Sequence, residues 1–177
     1  MNDKCLLCKE LETKKSIIYE DDTVAVIMGP APAAPGHVIV VPKKHYPIIE
    51  QIPDEEFGKI FNIVNKVSTA IFESVEATGT NIIVQNGVAA GQLIPHSFIH
   101  VIPRKDDDNI DFQWQPKQIA PEQFSKVEAN LKKAAESIEI GKKKEKKKEP
   151  VKAKKEPEKM KATKQENYMI KQLERIP

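Results

Sequence analysis

The sequence contains two cysteines and four histidines, and their spacing bounds the chemistry open to it. Cys5 and Cys8 form a C-x-x-C pair, too close to staple distant parts of a fold, so metal or redox chemistry is favoured over a structural disulfide. With His45 and His96 they supply two soft thiolates and two imidazoles, the donor set of a closed tetrahedral zinc site. Spacing alone does not join residues so far apart. His96, Phe98 and His100 alternate with Ser97, Ile99 and Val101, and in a strand the first three project to one face. Just upstream, Asn86-Gly87 and Gly91-Gln92 form a small-residue loop whose backbone can approach a phosphate. His37 is left over and reads as structural.

These residues need a scaffold, and the pattern of apolar residues predicts one. β-rich runs at Ser16–Tyr19, Thr23–Met28, His37–Val41, Asn81–Gln85 and Ser97–Ile102 are bounded by Gly, Pro or acidic residues. Between the third and fourth, Phe57, Ile60, Phe61, Val64, Val67, Ile71 and Phe72 recur at helical spacing behind Pro53-Asp54-Glu55-Glu56, a good helix start. A second helix is expected from Pro121 to about Ile138 as a closing element, with Phe124, Val127, Leu131 and Ile138 on its apolar face. Strands and helices do not alternate, so the expectation is α+β with an antiparallel sheet.

The net charge of +2 hides a segregation. Between Lys142 and Lys164 stand twelve Lys and four Glu, a local +8; the last thirteen residues are balanced, which leaves −6 on residues 1–141. The expected division is a domain over 1–140, a Lys/Glu/Pro-rich linker over 141–165 that cannot bury enough apolar surface to order itself, and an apolar docking segment over 166–177. That last segment would form a short helix that docks in cis or on a protein partner. No apolar run is long enough to span a bilayer and no secretory leader is recognisable, so a cytoplasmic protein with no membrane partner is expected.

Taken together, the segments resemble the histidine-triad family. Pro35-Gly36-His37-Val38-Ile39-Val40-Val41-Pro42-Lys43-Lys44-His45 resembles its G-H-x-(apolar)-V-x-P-K-(K/R)-H strand. Asn86-Gly87, Gly91-Gln92 and His96-x-Phe98-x-His100 resemble its N-x-G, A-G-Q and H-x-H-x-H block. The resemblance implies a five-stranded antiparallel sheet with two helices, a homodimer and a purine nucleotide ligand contacted by Asn86, Gly91, Gln92 and His100. It also implies zinc held by Cys5, Cys8, His45 and His96. In that family the middle histidine of the triad attacks the α-phosphorus and carries the nucleotidyl group. Here Phe98 stands at that position. Two further departures are Met28-Gly29-Pro30, where the family keeps an acidic residue for the ribose, and Leu93, where a hydroxyl residue usually follows Gly-Gln.

The leading expectation is therefore a catalytically silenced nucleotide-binding or adaptor module with structural zinc. One competing reading is an active nucleotidyl hydrolase or transferase using a relocated nucleophile, a metal-activated water or a partner chain. Another is a nucleic-acid-associated factor acting through the basic linker, which lacks the interleaved aromatic or Arg residues that would stack on or read bases.

Overall fold

A computed structural model describes residues 5–138; the linker and docking segment expected over 141–165 and 166–177 lie outside the described residues. Five antiparallel strands form one sheet in the order β1-β2-β3-β5-β4. They are β1 (Ile17–Glu20), β2 (Val24–Met28), β3 (Val38–Pro42), β4 (Gly79–Ile83) and β5 (Ile99–Arg104). The expected α+β architecture and all five strands are present.

Alternation along the central strands sends their side chains to two different cores. Val24 and Val26 of β2, Val38 and Val40 of β3, and Ile99 and Val101 of β5 are buried with Ile60 and Val64 of α2 (Asp54–Ser74). Ala25, Ile27, Ile39 and Val41 project the opposite way and are buried with Cys5, Leu7, Cys8 and Leu11. Because both faces are covered, β2 and β3 read as continuous apolar runs. Each such Val or Ile contributes roughly 1.5–3 kcal/mol by leaving water.

The second face is covered by α1 (Leu6–Thr13), which the sequence reading missed. Eight residues with Lys, Glu and Thr among them carry weak helical periodicity, yet Leu7, Cys8 and Leu11 share one buried stripe. Lys14 closes the helix in the left-handed conformation, its N–H donating to the Glu10 carbonyl at 3.2 Å. The start of α2 follows expectation: Asp54, Glu55 and Glu56 crowd its first turn, where the helix dipole favours negative charge.

The strand ends differ from expectation by at most two residues. β4 begins at Gly79, earlier than the run from Asn81, because Gly79 and Thr80 pair with Arg104 and Pro103. β5 in turn continues through Pro103, which is tolerated because β3 pairs with β5 only as far as Val101 and so does not demand an N–H there.

The chain divides into two units, the second beginning at Asp111. Its described part is a stretch without regular secondary structure followed by α3 (Pro121–Ala135), with Pro at the start and Lys132 and Lys133 in the last turn. The helix ends three residues before the expected Ile138. No residue of α3 is buried, and Phe124, Val127, Leu131 and Ile138, expected to form a packed face, are each at least half exposed. No described helix is long and apolar enough to cross a membrane.

Candidate metal centre and histidine pair

The end of β3, the start of α1 and the approach to β5 bring four expected ligands together. Cys5 is the residue before α1 and Cys8 lies in its first turn, so the i, i+3 spacing turns both thiols the same way. His45 follows β3 and His96 precedes β5. The Sγ atoms of Cys5 and Cys8 and the Nδ1 atoms of His45 and His96 all lie within 4.8 Å of one another, so the four residues could hold a metal ion. Cys5 Sγ is 3.5 Å from His96 Nδ1, Cys8 Sγ is 3.5 Å from His45 Nδ1 and 3.6 Å from His96 Nδ1, and the two Nδ1 atoms are 3.3 Å apart.

His96 is completely buried, and its Nε2–H donates to the Pro42 carbonyl at 2.9 Å. That bond fixes the tautomer and turns the Nδ1 lone pair toward the thiols, as an outer partner does for a metal-bound histidine. Burial holds the His96 pKa below its usual value, with the neighbouring His45 adding to the effect, which keeps the imidazole available as a neutral donor.

A second arrangement joins His100 to His37, a residue the sequence alone marks only as structural. The Ala33 N–H donates to His37 Nδ1 at 2.9 Å, so the His37 proton sits on Nε2 and points to His100 Nδ1, 2.9 Å away. The remaining proton of His100, on Nε2, then faces Gln85 Oε1 at 3.3 Å. A single direction of donation runs through all three side chains. Burial lowers both histidine pKa values, and His100, also repelled by His37, falls from the ordinary 6.5 to about 4. Both rings are therefore neutral at pH 7.

This depression couples to stability. The unfolded chain takes up a proton near pH 6.5 that folded His100 refuses until about pH 4, so stability present above pH 6.5 is lost as the pH falls through that window. At a half-buried site the loss is on the order of 2 kcal/mol. Denaturant unfolding between pH 7 and 4.5 should show it, and His100→Asn should flatten that part of the slope.

Phe98 packs against the cluster formed by Cys5, Leu7, Ile27 and Ile39, and its ring meets His100 edge-on, centroids 4.9 Å apart. Phe98 and His100 thus share one face, as expected, while Ile99 and Val101 enter the core under α2. Beside this cluster lies a hollow of about 320 Å³ whose walls include Leu7, Ile27, Gly29 and Ile94.

The loop residues expected to meet a nucleotide are engaged within the chain. Asn86 accepts from the Ile49 N–H and donates to Glu50. The Gln92 amide accepts from the Gly87 N–H at 2.8 Å and donates to the Pro47 and Ile94 carbonyls. These bonds hold the loop against the segment after β3. Gly91 has φ +90°, and a Cβ there would sit 2.7 Å from Gln85 Nε2. Gly91→Ala is expected to cost about 1–3 kcal/mol through the left-handed backbone and displacement of Gln85, read as a lower denaturation midpoint.

The HIT domain model matches residues 10–107. The chain belongs to the HIT family. Among curated relatives, this HIT chain is 36% identical over 110 residues to adenylylsulfatase HINT3 of Arabidopsis thaliana, a match covering 61% of this chain and 56% of that protein. It is 30% identical to the asymmetrical bis(5'-nucleosyl)-tetraphosphatase of Schizosaccharomyces pombe, over 72% of this chain and 68% of that one. Among solved structures, a zinc-bound histidine triad family protein from Mycobacterium smegmatis superposes with a TM-score of 0.57 at 27% identity, covering 76% of this chain and 98% of that one.

Proposed function

We propose that this HIT protein is a nucleotide-binding module that has lost nucleotidyl transfer and that carries a structural zinc ion. The observation carrying the reading is the Phe98 ring, seated against the apolar cluster on the same face as the neutral His37–His100 pair. A phenyl ring has no lone pair to attack phosphorus and no proton to exchange, so a covalent intermediate at this position is chemically barred. What remains is binding equipment. His100 can turn its Nε2–H, which faces Gln85, to a phosphoryl oxygen, with His37 fixing its tautomer. The names of the two relatives support a nucleotide as the ligand, and the adenylyl group in the first supports a purine.

Zinc fits the four ligand atoms. Tetrahedral coordination at usual Zn–S and Zn–N lengths sets neighbouring donors about 3.4 Å apart for two nitrogens and about 3.6 Å for nitrogen and sulfur. Four of the six observed separations are 3.3 Å and 3.5–3.6 Å, and all six lie within 4.8 Å. With four protein donors the site has no open position, so the ion would tie α1 to the segments flanking β3 and β5 without taking part in chemistry. The proposal extends to a homodimer in a reducing, cytoplasmic setting where both thiols persist. Calorimetric titration with AMP, GMP and adenosine tests the ligand: saturable binding to a nucleotide supports the reading, and no heat with any of the three refutes it.

A further inference from the structure

We infer that the groove between α2 and the β1–β2 edge is the seat of this chain's own C-terminal residues 168–176. The groove, of about 560 Å³, lies on the α2 side of the sheet and is separate from the four-ligand cluster. Val26 and Val38 form its floor, Ile18 and Tyr19 one wall, and Ile63 and Ile71 the other. Ile18 is 57% and Tyr19 45% exposed, so the sheet presents large apolar side chains beside an apolar helix face. A contiguous apolar surface of this kind marks an interaction site.

Its occupant is argued from the rest of the chain. Thirty-nine residues, 139–177, lie beyond the described ones. From 141 to 165 the only large apolar residues are Val151 and Met160, whereas Tyr168, Met169, Ile170, Leu173 and Ile176 follow within nine positions. At helical spacing Met169, Leu173 and Ile176 fall on one face about 10 Å long. The intervening stretch reaches on the order of 30 Å as a flexible chain, against a radius of gyration of about 13 Å for a hundred-residue domain, so its reach is commensurate with the body. Its local charge of +8 faces a body of −6, which holds the tether close and raises the effective concentration of its apolar end.

Hydrogen exchange on the full chain tests this, comparing the natural protein with L173D/I176D and with A70E, a change at an exposed position lining the groove. Amides of 168–176 should exchange about tenfold or more slowly in the natural chain, lose that protection in both variants, and do so equally at high and low protein concentration. Random-coil exchange of 168–176 in the natural chain overturns the inference. So does protection that survives A70E, which puts the segment elsewhere, or protection that falls on dilution, which makes a second copy the occupant. Exchange in α2 reports whether A70E still folds; if it does not, loss or retention of groove protection in L173D/I176D decides alone.

Discussion

Chelation of the metal is expected to lower the melting temperature by about 10 °C or more, and Cys8→Ser to reproduce most of that loss. The four candidate ligands come from three separate stretches of chain, so an ion held by them would cross-link α1 to both flanks of the central strands. Without it, Cys5, Cys8 and His96 stay buried but lack the ion that would join them, and α1 depends chiefly on the apolar contacts of Leu7 and Leu11. A loss of about 3 kcal/mol is a low figure for a structural zinc site, and in a domain of this size it corresponds to the stated shift. Elemental analysis should give one zinc per chain in the natural protein and little in Cys8→Ser. A melting temperature unmoved by chelation, in protein shown to have been loaded, would contradict the structural role.

The second large effect is at position 98. The natural chain is expected to release AMP from an adenosine phosphoramidate at no more than the uncatalysed rate, whereas Phe98→His is expected to raise release by about 100-fold or more. The new imidazole would stand on the same face as His100, whose ring already meets that of Phe98 at 4.9 Å. Acid-quenched Phe98→His protein should carry a nucleotidyl adduct visible in its intact mass, and the natural chain none. If Phe98→His binds nucleotide but forms no adduct, the block lies in the remaining departures, Gly29 or Leu93.

The parts of this molecule that could be read from sequence were those whose signal is local. The strands and α2 announce themselves by apolar periodicity, because each buries its own side chains against a neighbour. α1 did not, since eight mixed residues bury only one narrow stripe of Leu7, Cys8 and Leu11. The ligand set was chemically evident, but only the family resemblance joined Cys5 to His96 across 91 positions, and the fold supplies the reason: the start of α1 is laid against the entry to β5. The link from His37 through His100 to Gln85 was invisible because it depends on β3–β5 register, which sets Ile39 opposite His100 and His37 one step along the same face. Asn86 and Gln92 were singled out for a ligand, yet their bonds to Ile49, Glu50, Gly87, Pro47 and Ile94 depend on where the loop settles.

Binding without turnover is the centre of the account, and phosphorus NMR of an adenosine phosphoramidate mixed with equimolar full-length protein tests both halves at once. The expected spectrum shows the phosphoramidate resonance shifted and broadened by binding, with no AMP signal growing beyond the protein-free control over the same period. An unperturbed resonance would contradict the binding half. AMP appearing at a rate that rises with protein concentration would contradict the loss of transfer.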